Sequence, residues 1–244
     1  LTYANLSGQD LSDHDLTDTI LRGADLSNSV LPDDALSENN FANAVFDGIN
    51  LSGKDLSVSN FQFANFDNAD LENTNLHMAD FYLVDLTKIK NKSLVNADLS
   101  HTAFAQSNLS GVNLAGATLD QNNFYGTNLS GLDFTVIDNK FLRGSVFAYA
   151  NLSNVNFEGI NFFDPIVYNA YYPDKAHLIN EMNLGMSNQL VLEDNFHNKV
   201  VVNIKTEGNV LVQSFVYSNA FDKANLQNAN FSNADLRYSA FFDA

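Results

Sequence analysis

Carboxylates are the reactive groups this chain carries in quantity. It has 29 Asp and Glu against 12 Lys and Arg, a formal charge of −17 over 244 residues. Residues 1–86 hold 15 of those acids and only two bases, Arg22 and Lys54. The densest group is Asp10, Asp13, Asp15, Asp18, Asp33, Asp34, Glu38 and Asp55. Like charges held about 5–10 Å apart repel one another, and a partner rich in Lys and Arg would relieve that repulsion. The alternative is a solvated acidic row that only keeps a long surface soluble. The positive counterpart is Lys88, Lys90 and Lys92, three lysines within 87–93. They suit either a loop that contacts an acidic patch or a plain solvated loop. Chemistry beyond charge is poorly supplied. The acids lack the ligand pattern of a calcium loop, and His77, His101, His177 and His197 show no metal-ligand spacing. Phosphate loops and nucleophile elbows are absent. There is no Cys, so disulfides and thiolate sites are excluded. Nucleic-acid binding needs a basic footprint, and the sign here is the opposite. The expected partner is therefore a basic protein surface, with no metal, no cofactor and no catalysis.

The elements that must position these charges follow from a five-residue period. From Leu1 to Leu86 every fifth residue is Leu or Phe, for example Leu36, Phe41, Phe46 and Leu51. A helix repeats at 3.6 and a strand at 2, so neither explains it. Two residues before each large one the chain is usually small, as at Ala24, Ala44, Ala64 and Ala79. Asn or Asp usually comes between, as at Asp25, Asn65 and Asp70. A chain that buries one large and one small side chain every five residues turns a corner once per repeat. Four corners close a square coil of twenty residues, and stacked coils pair about 4.8 Å apart. Asn and Asp suit the corners because their side chains bond nearby backbone N–H groups. Residues twenty apart then stack, which predicts a Phe41–Phe61–Phe81 ladder and an Ala4–Ala24–Ala44–Ala64 ladder. One inward column breaks the small-residue rule with His14, Asp34, Lys54 and Thr74. It is either a buried charge network, costly unless fully paired, or a side of the coil whose side chains bend outward. As a catalytic trio, His14, Asp34 and Lys54 lack a nucleophile and a pocket.

The motif A-[DN]-[LF]-x-x, at Ala69-Asp70-Leu71, Ala97-Asp98-Leu99, Ala224-Asn225-Leu226 and Ala234-Asp235-Leu236, resembles the pentapeptide-repeat family. The resemblance implies an all-β fold, a right-handed quadrilateral parallel β-helix or solenoid, with the large and small residues of each repeat pointing inward. It also implies a bacterial source and three classes of function. One is a protein-interaction module, including modules of secreted effectors. Another is a DNA mimic that modulates type II topoisomerases such as gyrase, as in quinolone resistance. The third, an enzyme, fits least. The acidic charge suits the mimic. The charge concentrated at one end and the long interruption described next favour the interaction module.

The period skips by three residues after Leu86, within 87–93, and after Phe134, within 135–141. It yields 32 repeats, eight coils, over 1–162, a stack about 38 Å long. Residues 163–213 break the pattern, and repeats resume over 214–244, with Val216 opening the last run. Within the interruption, Tyr171-Tyr172-Pro173-Asp174 forms a turn. A short helix is expected over 174–184, capped by Asp174 with Ala176, Ile179 and Met182 on one face. The apolar stretches 190–192, 200–204 and 210–216 predict a small β-meander. This insertion is expected to brace coil edges, or else to carry recognition. No apolar run is long enough to cross a membrane, and no signal peptide is visible. The first residue is Leu1, so the native start is expected upstream, in either a bacterial cytoplasmic protein or a secreted one.

Overall fold

A computed structural model describes residues 1–17, 19–33, 36–162, 189–193, 199–207, 210–217, 221–236, 239, 241 and 243–244. Isolated parallel bridges join residues twenty apart, such as Asn5 to Asp25, Asp25 to Val45, and Asn40 to Asn60 to Asp80. The predicted stacking of twenty-residue coils is therefore present. After each skip the offset becomes 23, as in Asn75 to Asp98 and Asn123 to Val146. Across the insertion it is 74, as in Asn151 to Asn225.

Each corner is a β-turn. The small residue donates its N–H back to the carbonyl of the preceding Leu or Phe, as Ala44 does to Phe41 at 2.9 Å and Ala64 to Phe61 at 3.0 Å. At most described corners the third residue of the turn has a left-handed backbone, with φ of 57° at Asn68 and 67° at Gly48, as a type II turn requires; Asp13 and Asp33 are exceptions. The Asn or Asp ahead of each corner accepts the N–H two residues on. Asn60 Oδ1 accepts from Gln62 N at 2.9 Å, and Asp80 Oδ1 from Tyr82 N at 2.9 Å. This is why those two residue types dominate that position.

We label the corners by the residue that opens them in successive coils. Corner A opens at 11, 31, 51 and 71, corner B at 16, 36, 56 and 76, corner C at 21, 41, 61 and 81, and corner D at 26, 46, 66 and 86. The core is the stack of inward Leu and Phe. The expected Phe ladder runs further than three rungs: Phe41, Phe61, Phe81, Phe104, Phe124, Phe147, Phe221 and Phe241 stack in series, with centroids 4.6–5.6 Å apart. Ala24, Ala44 and Ala64 are buried beneath one corner, while Ala4, in the first coil, is only half covered. Each skip is a 3-10 turn, Lys90–Lys92 or Phe134–Val136. At both, an isoleucine takes the inward place of the small residue: Ile89 and Ile137 are buried. The loop adds three residues without opening the core.

The insertion departs after Phe162 at corner B, and the coil resumes at Phe221 in the corner C column. Its described part is an antiparallel sheet of β1 (Gln189–Glu193), β2 (Lys199–Glu207) and β3 (Val210–Tyr217), in the order β1-β2-β3. The three predicted apolar stretches form these strands. Val216 pairs with Val201 in β3 rather than opening the last repeat run, because alternating apolar residues carry the strand through it. The expected turn at 171–174 and helix over 174–184 lie outside the described residues.

Candidate functional site: an acidic exterior

With the interior filled, any site must be on the outside. Corners A and B of the first three coils, and the face between them, carry five of the acids singled out from the sequence. Asp13 and Asp33 lie at corner A, Glu38 at corner B, and Asp15 and Asp55 on the face between. Asp10 sits on the neighbouring face that leads into corner A. Asp18 and Asp34 lie outside the described residues.

These carboxylates fall into two kinds. Asp10, Asp15 and Asp55 each hold a turn. Asp10 Oδ1 accepts from Ser12 N at 3.1 Å and Ser12 Oγ at 2.6 Å, Asp15 Oδ1 from Thr17 N at 2.9 Å, and Asp55 Oδ1 from Ser57 N at 3.0 Å. The Ser12 hydroxyl and N–H hold the Asp10 carboxyl below the ordinary carboxylate range, and Thr17 does the same for Asp15. Asp13 and Glu38, exposed like the other three, occupy turn positions that need no acid. Glu38 even sits on left-handed backbone, φ 58°. Their type is not dictated by the repeat.

Asp33 belongs to a local arrangement that sequence reasoning placed only approximately. Lys54 takes the inward small-residue position, yet its Nζ reaches Leu31 O at 3.1 Å, Pro32 O at 3.0 Å and Asp33 Oδ1 at 2.8 Å. Other polar residues in inward positions do likewise. Ser59 donates to Leu36 O and Thr74 to Leu51 O, both at 3.1 Å. The Lys54 side chain is only 12% exposed, while Asp33 is fully exposed. Lys54 holds the Asp33 carboxyl below its ordinary range. Of the His14–Asp34–Lys54 column, Asp34 lies outside the described residues, His14 is exposed, and the Lys54 ammonium is met by two carbonyls and Asp33. Beside it lies a shallow recess of about 440 Å³ lined by Ser12, Leu31, Asp33, Asn50, Ser52 and Lys54, among others.

The lysine loop folds back on its own molecule. Lys90 Nζ meets Asp70 Oδ2 at 2.6 Å and Lys88 lies 3.8 Å from Asp67, and Asp70 raises the Lys90 ammonium above its ordinary range. Lys92 is exposed, on left-handed backbone. Two features had no sequence forecast. Arg143 is ion-paired to Asp120, 23 residues earlier. His77 stands 5.1 Å from His101, edge to face, with Nδ1 2.8 Å from Ser100 Oγ. The 23-residue offset that a skip imposes lays Arg143 over Asp120, and lays Ser100, beside His101, over His77, which a strict twenty-residue count misses. Among the described residues no group of three His, Asp or Glu could hold a metal ion, and no helix is long and apolar enough to cross a membrane.

The model of the pentapeptide repeats matches 1–32, 40–77, 55–87, 97–135, 132–162 and 220–242, in eight copies. The chain belongs to the pentapeptide-repeat family. Among solved structures it is similar to HetL, a pentapeptide repeat protein involved in heterocyst differentiation regulation from the cyanobacterium Nostoc. The identity is 19%, over 97% of this chain and 86% of that one, with a TM-score of 0.40. It is also similar to a trypsin-treated form of QnrB1, a plasmid-mediated fluoroquinolone resistance protein. Here the identity is 15%, over 66% of this chain and 71% of that one, with a TM-score of 0.37. No curated protein matches the chain by sequence.

Proposed function

We propose that this chain is a non-catalytic interaction module whose acidic N-terminal coils bind a basic protein surface. The observation that carries the reading is the placement of Asp13 and Glu38. They add charge at corners where the turn does not require it, beside Asp10, Asp15 and Asp55, which are aligned by their turn bonds. A rigid stack sets these carboxylates at fixed spacing, so a partner with matching Lys or Arg binds without ordering them first. Charge of this kind also speeds encounter and makes binding salt-dependent.

The test is fluorescence anisotropy with a lysine-rich peptide, on the whole chain and on a variant carrying Asp13→Asn, Asp15→Asn, Asp33→Asn and Asp55→Asn. Four exposed pairs at a few tenths of a kcal/mol each should weaken binding about tenfold and flatten its salt dependence. Unchanged affinity rejects the acidic face. Gyrase supercoiling, assayed with and without a quinolone, separates this reading from topoisomerase mimicry. A change in supercoiling that depends on this chain would favour the mimic.

A further inference from the structure

Four large apolar side chains stand on the outside of two stacked coils. Val58 and Met78 occupy corner B, and Phe63 and Leu83 occupy corner C. They are 48%, 54%, 49% and 43% exposed. Each is the third residue of its turn, with φ between 57° and 60°. That backbone disfavours any side chain with a Cβ except Asn or Asp, and a β-branched residue such as Val most of all. At Asn28, Asn43, Asn68, Asn73, Asn96 and Asn154 the same position holds the residue it prefers. These four residues therefore combine backbone strain with apolar exposure. Tyr3, His101, Gln106, Gln121, Tyr149 and Lys223 share this backbone, so strain alone does not mark the four; their clustering as an exposed apolar surface points to a partner.

The pieces are in register. Val58 N donates to His77 O at 2.8 Å and Phe63 N to Tyr82 O at 3.0 Å, which lays the upper coil on the lower. The Phe63 ring meets Tyr82 edge to face at 5.5 Å, so Tyr82 extends the patch. Charge surrounds it in an ordered way. Asp55 lies on the face before corner B, Asp80 on the face between the two corners, and Asp85 on the face after corner C. Gln62 Nε2 fixes Asp80 at 2.7 Å. From residue 55 to 87 there are six Asp or Glu and no Lys or Arg. The acids come from both coils: the lower one reads Asp55, Val58, Asn60, Phe63, Asn65 and the upper one Asn75, Met78, Asp80, Leu83, Asp85, so acids flank both apolar corners only when the two coils are taken together.

We propose that this surface docks a partner segment in which Lys or Arg alternates with apolar side chains. The apolar residues rest on Val58–Met78 and Phe63–Leu83, and the cations meet Asp55, Asp80 and Asp85. The proposal rests on the basic-partner reading above and adds to it a place and an apolar requirement.

The probe is a labelled eight-residue peptide of alternating lysine and leucine, compared with a lysine–serine peptide of equal charge. A variant with Val58→Asn, Phe63→Asn, Met78→Asn and Leu83→Asn keeps the turn chemistry, and its melting curve reports that it folds. The intact chain should bind the lysine–leucine peptide about tenfold more tightly than the lysine–serine peptide, and the variant should bind both alike. Equal binding of the two peptides by the intact chain, or discrimination retained in the folded variant, overturns the docking surface while leaving the acidic reading intact. Binding of neither peptide overturns both. If the intact chain dimerises in light scattering and the variant is a monomer, the occupant is a second copy and the proposed partner is wrong.

Discussion

Phe61 and Phe63 are two residues apart, and the fold assigns them opposite consequences. Phe61 is fully buried, stacked 5.2 Å from Phe41 and 5.1 Å from Phe81, with edge contacts to Phe46 and Phe66. Removing a ring from such a place costs about 3–5 kcal/mol, from lost transfer energy and the cavity left behind. Phe63 points outward from left-handed backbone. Phe63→Asn relieves about 1–2 kcal/mol of strain. It forfeits about half of the 1.5–3 kcal/mol that full burial would give and one edge contact worth about 0.5 kcal/mol. Its net effect should lie within about 1 kcal/mol of zero. Urea unfolding followed by far-ultraviolet circular dichroism separates the two. With a slope near 3 kcal/mol/M, Phe61→Ala should lower the midpoint by about 1 M or more, and Phe63→Asn should leave it nearly unchanged. Equal losses in the two variants would refute the assignment of inward and outward positions.

Acid should weaken the coils. Asp10, Asp15, Asp25 and Asp98 are held below the ordinary carboxylate range. Hydrogen bonds from Ser12, Thr17 and Ser27 do this for the first three. For Asp98, burial pushes the value up, but bonds from Ser100 and Thr118 more than offset it. A depressed folded value means stability that is complete above the unfolded value of about 3.9 and lost as pH falls through the folded one. The urea midpoint should be flat from about pH 7 to 5 and fall below about pH 4. Asp→Asn at these four positions, which keeps the turn acceptor, should flatten that limb; an unchanged acid limb would contradict it. Lys54→Ala uncovers the Leu31 and Pro32 carbonyls and should cost about 1–3 kcal/mol. Asp33→Asn, at a fully exposed partner, should cost less than Lys54→Ala. The same urea melts check both, and the reverse order would contradict the account of Lys54.

Much of this was legible because the repeat is short and each position has one duty. Leucine or phenylalanine every fifth residue fixed the coil, its twenty-residue stacking and the Phe41–Phe61–Phe81 ladder. Alternating apolar residues marked β1, β2 and β3. Contacts across a skip were hidden, since Arg143 reaches Asp120 and His77 reaches His101 only after three extra residues shift the register. The Lys54 position marked an anomaly, but its partners are backbone carbonyls, which a sequence does not display. The apolar corner was visible in principle: Val58, Phe63, Met78 and Leu83 all lie two residues after a Leu or Phe, where Gly or Asn belongs. The acids were legible as a cluster. What divides them was visible in principle: Asp10, Asp15 and Asp55 stand just before a Leu, where the side chain bonds the turn, and Asp13 and Glu38 stand two residues after one.

Zero-length carbodiimide coupling of a lysine-rich peptide to the intact chain, mapped by mass spectrometry, reports which carboxylates a cation reaches. Coupling should concentrate on Asp13, Asp15, Asp33, Glu38 and Asp55 and fade as salt is raised. Coupling spread evenly over the acids of the whole chain, or gathered beyond residue 87, would contradict an acidic binding surface on the first coils.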